Sequence, residues 1–244
     1  MNLIIDVGNT SIKLAVFVQD ELAKRVVSLT ETFSEDLEQL VEDFPSLQHC
    51  IVSSVGGFGK KELDLLGEKF EVLELNHKTP VLFQNNYETP TTLGVDRIAL
   101  VSAAAAQYPD ENILVIDAGS CITYDFLTAK NEYLGGAISP GLQMRYKALN
   151  TFTANLPLLE TETPETFIGG STQDSMHIGV VKGMAHEIDG FIEEYKEDFY
   201  DLTVILTGGD THFLRDRIKN DIFANSNFLL EGLNHILEYN KDSC

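Results

Sequence analysis

The feature that most constrains this chain is a strand-turn-strand unit written twice. Residues 3–17, LIIDVGNTSIKLAVF, pass from an apolar run through a polar turn into a second apolar run. Residues 115–127, VIDAGSCITYDFL, do the same, and Asp117, Gly119 and Ser120 stand 111 positions after Asp6, Gly8 and Asn9. Each copy reads as a buried strand that delivers an aspartate to its end, followed by glycine and short polar side chains. One such unit is an ordinary hairpin, because turn residues are polar for conformational reasons alone. Two of them, each near the start of a half-chain, imply a duplicated architecture, and repetition constrains a fold more than any single motif. Chemically the first copy faces phosphate well. Gly8 lets backbone approach a ligand, Asn9, Thr10 and Ser11 offer short donors, Lys13 offers a cation, and Asp6 offers a carboxylate suited to a hydrated Mg²⁺.

At 244 residues and 43% hydrophobic, the chain can bury two cores, which the repeat divides into lobes 1–111 and 112–244 facing a cleft. A net charge of −21, from 17 basic and 38 acidic residues, argues against nucleic-acid or anionic-membrane surfaces, which need clustered Lys and Arg. Cys50, Cys121 and Cys244 form an odd set without CxxC spacing, so neither a disulfide framework nor a zinc site is expected. The six histidines show no HxH or HExxH spacing, so none is assigned to a metal. No apolar stretch approaches membrane-spanning length and the chain enters a strand at once, so a cytoplasmic location is expected.

Along the chain, residues 23–29 read as a third strand and 34–44 as a helix capped by Ser34, with Leu37, Leu40, Val41 and Phe44 on one face. Residues 49–55 read as a strand ending at Ser53, Ser54, Gly56 and Gly57, a turn that either touches a ligand or simply leads into a helix at 59–70; a strand at 71–75 follows. Residues 82–97, LFQNNYETPTTLGVDR, form a long connection of the kind that carries function, before a helix at 97–107. Asp96 is either the N-cap of that helix or a catalytic carboxylate. In YLGGAISPGLQMRYK (133–147), a helix starting after Gly141 presents an N-terminus suited to an anion, unless the glycines mark only a bulge and a turn. Residues 148–166 read as a surface excursion. A helix follows at 174–195, whose small or apolar residues Met176, Gly179, Val180, Gly183 and Met184 suit a contact within or between subunits. A buried strand at 203–207 leads into Gly208-Gly209-Asp210. Beyond it, a helix, a short strand at 228–230 and a final helix at 233–239 are expected.

The paired hairpins resemble those of the acetate and sugar kinase, Hsp70 and actin superfamily, which implies an α/β fold of two actin-like (ribonuclease H-like) lobes with ATP between them. Six segments in order, DVGNTSIK (6–13), GVDR (94–97) with Tyr87 upstream, DAGSCITYD (117–125), GGAISPG (135–141), GGSTQDSMHIG (170–179) and TGGD (207–210), resemble the type III pantothenate kinases. That resemblance implies ATP and Mg²⁺ contacts from Asp6, Val7, Gly8, Asn9, Thr10, Ser11, Ile12 and Lys13, with Ser120 also on ATP and water linking Asp6 to Mg²⁺. It implies pantothenate contacts from Tyr87, Gly94, Val95, Asp96, Arg97 and Thr172, with Asp96 as base, and a monovalent cation, K⁺ or NH₄⁺, at Asp117. It also implies a homodimer with the substrate pocket near the interface. An acidic protein holding ATP makes Lys13, Arg97, Arg145 and Lys147 notable as counter-charges. The chain departs from the commonest family wording at Ser120-Cys121, at Val95, and at Glu88-Thr89-Pro90. The first keeps a hydroxyl, the second leaves the Asp96-Arg97 pair intact, and the third bears on pocket shape. Two other functions fit the same scaffold: a kinase of another small molecule, and a non-catalytic ATP-sensing regulator.

Overall fold

A computed structural model describes residues 1–8, 11–54 and 59–241, the side chain of Lys60 excepted. Expectations at Asn9, Thr10, Val55, Gly56, Gly57 and Cys244 lie outside the described residues. The elements run β1 (Asn2–Val7), β2 (Ile12–Val18), β3 (Glu21–Ser28), α1 (Phe33–Asp43), β4 (His49–Ser54), α2 (Lys60–Gly67), β5 (Glu71–Glu74), β6 (Gln84–Asn85), a 3-10 turn (Pro90–Thr92) and α3 (Val95–Gln107). Then come β7 (Asn112–Ala118), β8 (Cys121–Leu127), β9 (Glu132–Pro140), α4 (Leu142–Thr151), α5 (Thr172–His177), a π-helical turn (Ile178–Lys182), α6 (Gly183–Asp198), β10 (Leu202–Thr207), α7 (Thr211–Leu214), β11 (Phe223–Ala224) and α8 (Phe228–Asn240).

The duplication is visible in sheet order. The first sheet runs β3-β2-β1-β4-β5 and the second β6-β9-β8-β7-β10-β11; β6 apart, the strands take the same sequence of roles in each. In both, the leading strand pairs antiparallel with its hairpin partner and parallel with a later strand: β1 with β2 and β4, β7 with β8 and β10. β1 and the centre of β7 are apolar and buried because each is a central strand covered on both faces. The register aligns Asp6 with Ser53, and Asp117 with Thr207. Ser53 and Thr207 are therefore counterparts, a relation that local sequence does not display.

The two compact units are not contiguous halves. One comprises Met1–Pro109, Asn131–Tyr133 and Phe228–Cys244; the other comprises Asp110–Lys130 and Leu134–Asn227. In the first unit, α8 packs along α3 and against β1 and β4. The contact is close because Gly232 has no side chain; a methyl group there would collide with the Ala99 carbonyl. Asn2 at the head of β1 donates to Asn234 at 2.6 Å and to Glu238 at 2.7 Å. The first core gathers Leu3, Ile5, Leu14 and Val16 of the sheet with Phe33, Leu37 and Leu40 of α1. In the second unit, Leu114, Ile116, Tyr124 and Phe126 pack with Met184, Ile188 and Ile192 of α6. The small-residue face of the expected long helix mostly enters this core, as Val180 and Met184 are buried, while Gly179 is exposed.

Four local expectations need correction. The N-cap of α1 is Thr32, not Ser34; Phe33 is needed in the core at 3% exposure, which starts the helix earlier, and the Thr32 carbonyl accepts from the Asp36 amide at 3.0 Å. Residues 228–230 are the first turn of α8, not a strand. All three are buried, and Leu233, Ile236 and Leu237 continue the helical spacing; an apolar triplet does not reveal its own period. α3 begins at Val95 rather than Arg97, with Gly94 at its N-cap, so Asp96 is its second residue and not its cap. The helical run expected at 174–195 starts at Thr172, ends at Asp198 and contains the π turn.

Candidate active site

In the first unit, the candidate residues collect at the ends of β1 and β4 and the start of α3. Asp6 is 5% exposed and accepts from Lys13 Nζ at 3.0 Å, across the register pair that joins β1 to β2. The Val7 and Ile12 side chains turn into the core, so only their backbone is available to a ligand. Gly8 donates its amide to the Ser11 carbonyl at 3.1 Å, closing the turn.

At the start of α3 the glycine in GVDR has a steric reason. A methyl group on Gly94 would collide with the Asp96 carboxylate, which folds back to accept from the Arg97 amide at 2.9 Å. Burial pushes the Asp96 carboxyl above the ordinary aspartate range; the Arg97 amide pulls the other way, and the negative charge of Asp6 adds to the rise. Two carboxylates thus share one field. Arg97 is buried at 5% exposure, with its guanidinium 5.6 Å from the centre of the Tyr87 ring, within cation–π range. Tyr87 stacks on Tyr133 at 6.0 Å. The structure therefore brings Asp6 with Lys13 and Arg97 with Tyr87, and Asp96 feels the charge of Asp6; Val95 is partly exposed on the first turn of α3.

In the second unit, Asp117 is the penultimate residue of β7, and Ser120 lies exposed in the turn to β8. Gly119 donates to the Cys121 carbonyl at 2.9 Å, and Gly141, the N-cap of α4, donates to the Ser120 carbonyl at 3.2 Å. A methyl group at Gly141 would collide with the Gly119 carbonyl. Gly208 has φ +96°, and a methyl group there would meet both Asp117 Oδ1 and the Ala118 carbonyl. Burial raises the Asp210 carboxyl above its ordinary range, and the Asp210 amide donates to the Ala118 carbonyl at 2.9 Å. Thr172, first residue of α5, lines a groove of about 1330 Å³ whose walls include Pro140, Arg145, Phe152 and Gly179.

These donor sets fit the ions that the sequence reading anticipates. Asp6 is a single buried carboxylate at a strand end, appropriate to Mg²⁺ that keeps water and phosphate oxygens as its other ligands. At Asp117, a carboxylate oxygen and a backbone carbonyl stand where a Cβ on Gly208 would fall, an all-oxygen cradle suited to a hard cation. Among the described residues no group of three or more His, Cys, Asp or Glu could hold a metal.

One residue escaped the sequence reading. Glu187 on α6 accepts from Arg145 at 2.7 Å, Ser139 at 2.5 Å and Tyr124 at 3.2 Å, while Arg145 Nε donates to the Pro140 carbonyl at 2.8 Å. Burial and the Glu187 charge push the Tyr124 phenol upward. The network holds Arg145 on the wall of the groove that carries Thr172. No local signal identifies Glu187, because its partners lie at sequence separations of 42 to 63.

The sequence model of the type III pantothenate kinases matches residues 2–194. The chain belongs to the type III pantothenate kinase family. A relative of that name from Christiangramia forsetii is 50% identical over 241 residues, covering 99% of each chain. Another, from Flavobacterium johnsoniae, is 46% identical over 243 residues, covering 100% of each. Among solved structures, a Campylobacter jejuni protein named for the Baf family of transcriptional activators matches with TM-score 0.64 at 24% identity, covering 98% of this chain and 99% of that one. A glucokinase from an Antarctic psychrotroph matches with TM-score 0.52 at 11% identity over 98% of both. At such identities the likeness shows fold alone, and it is the fold of actin-like ATPases and sugar kinases. No helix among the described residues is long and apolar enough to cross a membrane.

Proposed function

We propose that this protein transfers the γ-phosphoryl group of ATP to the primary hydroxyl of pantothenate, giving 4′-phosphopantothenate and ADP, the first step of coenzyme A biosynthesis. The observation that carries the reading is the Asp96 carboxylate at the start of α3, raised by burial and by the charge of Asp6, within a chain of this family. Phosphoryl transfer asks a protein mainly for alignment and neutralisation of charge. Asp96 accepts the proton of the pantothenate hydroxyl and orients its oxygen; its raised pKa makes it a stronger base than an ordinary aspartate. Arg97, fixed against Tyr87, binds the pantothenate carboxylate or steadies Asp96. Lys13 and the backbone of residues 6–13, with Ser120, contact the phosphates. Val95, Gly94, Tyr87 and Thr172 complete the acceptor site.

Asp6 holds Mg²⁺ through water, and Asp117 holds K⁺ or NH₄⁺. Both ions supply positive charge that a protein of net charge −21 lacks. The duplication divides the sequence at 111/112, each part contributing one of the two hairpins, while α8 packs with the first unit. The exposed Phe152, at 85%, and Met144, at 41%, on the groove that carries Thr172 support a homodimer with the acceptor pocket near its interface. The protein works in the cytoplasm.

The test is ADP release from Mg-ATP with pantothenate, with and without K⁺, beside a panel of sugars and acetate. Release that requires both pantothenate and K⁺ is expected. Release with another acceptor alone would overturn the roles of Tyr87, Arg97 and Thr172, and tight ATP binding without release would replace the kinase by a sensor.

A further inference from the structure

The second unit has a small pocket of about 230 Å³ lined by Lys182, His186, Arg217 and Lys219 together with Thr163 and Ala185. In a chain with 38 acidic residues and 17 Lys and Arg, three of the cations converge on one cavity. Among the described residues no carboxylate makes an ion pair with Lys182, Arg217 or Lys219. Their placement is built from neutral contacts. Arg217 lies 3.9 Å from the centre of the Phe213 ring and donates to the Phe213 carbonyl and to Thr163 Oγ1, so its guanidinium is fixed without an anion. The carboxylate that organises the 219–220 segment, Asp189, is taken up there: it accepts from the Lys219 backbone amide at 2.9 Å, and from the Asn220 backbone amide and Nδ2 at 3.1 Å each. That clamp fixes where Lys219 leaves the chain at the pocket, of which it is a lining residue.

A second observation concerns the helix beneath. Lys182 is the last residue of the π turn Ile178–Lys182, and π turns inside α-helices are rare and concentrate at functional sites. The turn gives Val181 and Lys182 to this pocket and Gly179 and Val180 to the large groove. It thus forms the wall between them.

We propose that this pocket binds a phosphate-class dianion, orthophosphate or a phosphomonoester, at a site separate from the residues assigned to phosphoryl transfer. Two ammonium groups and an anchored guanidinium match the charge of such a ligand, and the planar fork of Arg217 matches its oxygens. The volume admits a phosphate with a short ester arm.

The test is titration calorimetry on the full-length protein saturated with a non-hydrolysable ATP analogue, so that the reaction's own phosphate contacts are occupied. Orthophosphate and glycerol 3-phosphate are the two probes. One equivalent of either is expected to bind, the tighter probe identifying the free ion or the ester as the occupant. Lys182→Gln with Lys219→Gln is expected to weaken binding at least tenfold while thermal stability stays unchanged, because neither side chain anchors the fold. Arg217→Lys, which keeps charge but loses the fork, is expected to weaken it further. No binding of either probe to the wild-type protein, or unchanged affinity in the double variant, would overturn the proposal.

Discussion

The hairpins β1–β2 and β7–β8 hold the same place in their sheets and face different chemistry. In the first, Asp6 lies opposite Lys13 and pairs with it at 3.0 Å. In the second, the register partner of Asp117 is Thr123, so the cross-strand position that holds a cation in one copy holds a hydroxyl in the other. The second turn is also tighter: Gly8 bonds three residues ahead and Gly119 only two, and the turn after Asp117 is braced by Gly141. Duplication has kept the carboxylate at the strand end and changed what stands against it. An ion pair with its lysine 35% exposed contributes about 0–1 kcal/mol, too little for stability to explain why Lys13 is there. Under the proposed function, Lys13 stands at the end of β1 to meet a phosphate ligand.

The largest expected effect tests what distinguishes the first unit most, the second carboxylate beside Asp6. Asp96→Asn keeps ATP binding and lowers kcat by about 100-fold or more, measured by ADP release; near-normal turnover would remove Asp96 as base. Since the base must be ionised and its pKa is raised, wild-type turnover falls with decreasing pH at values above those at which an ordinary aspartate titrates. Stability moves in the opposite sense. A carboxyl with raised folded pKa contributes stability below its unfolded pKa and loses it as pH rises through the folded pKa. The Asn variant therefore melts at higher temperature than wild type at neutral pH, and the gain disappears on acidification.

Next comes the packing that only the second unit shows. Gly208→Ala must place a methyl group at positive φ against the Ala118 carbonyl and Asp117, costing about 1–3 kcal/mol in urea unfolding and weakening the response to K⁺. A K⁺ response equal to wild type would separate Asp117 from the cation. Lys13→Gln is expected to raise KM for ATP about tenfold, as loss of one phosphate contact would, with a stability change within about 1 kcal/mol. A stability loss without a change in KM would make the pair structural and erase the contrast between the hairpins. The smallest effect is expected at Gly119→Ala, where the added methyl group meets only the Cys121 carbonyl at 3.9 Å. Unfolding free energy should stay within about 0.5 kcal/mol of wild type.

Much of this was legible because its signals are local. The strand ends at Asp6 and Asp117, the glycine before Asp96 and the helix after Gly141 follow from runs of apolar residues punctuated by turn formers. Signals failed where one short stretch satisfies two periods or where packing chooses the start of an element. Residues 228–230 fit strand or helix until Leu233 and Ile236 are seen to share their buried side, and Thr32 replaces Ser34 as cap because the core needs Phe33.

The sequence by itself determined the duplication, the positions of its two aspartates and the motif set that carries family membership, since each is written within a few adjacent residues. Tertiary structure alone decided the rest. Ser53 and Thr207 become counterparts only when parallel strands pair across intervening helices. Glu187 becomes the keeper of Arg145 only when α6 lies beside α4. Helix α8, last in the chain, joins the first unit because a glycine at 232 lets it close on α3 and bury its apolar side there. Hydrophobic burial is non-directional and has no memory of sequence distance, so which surfaces meet is fixed by shape at the point of contact.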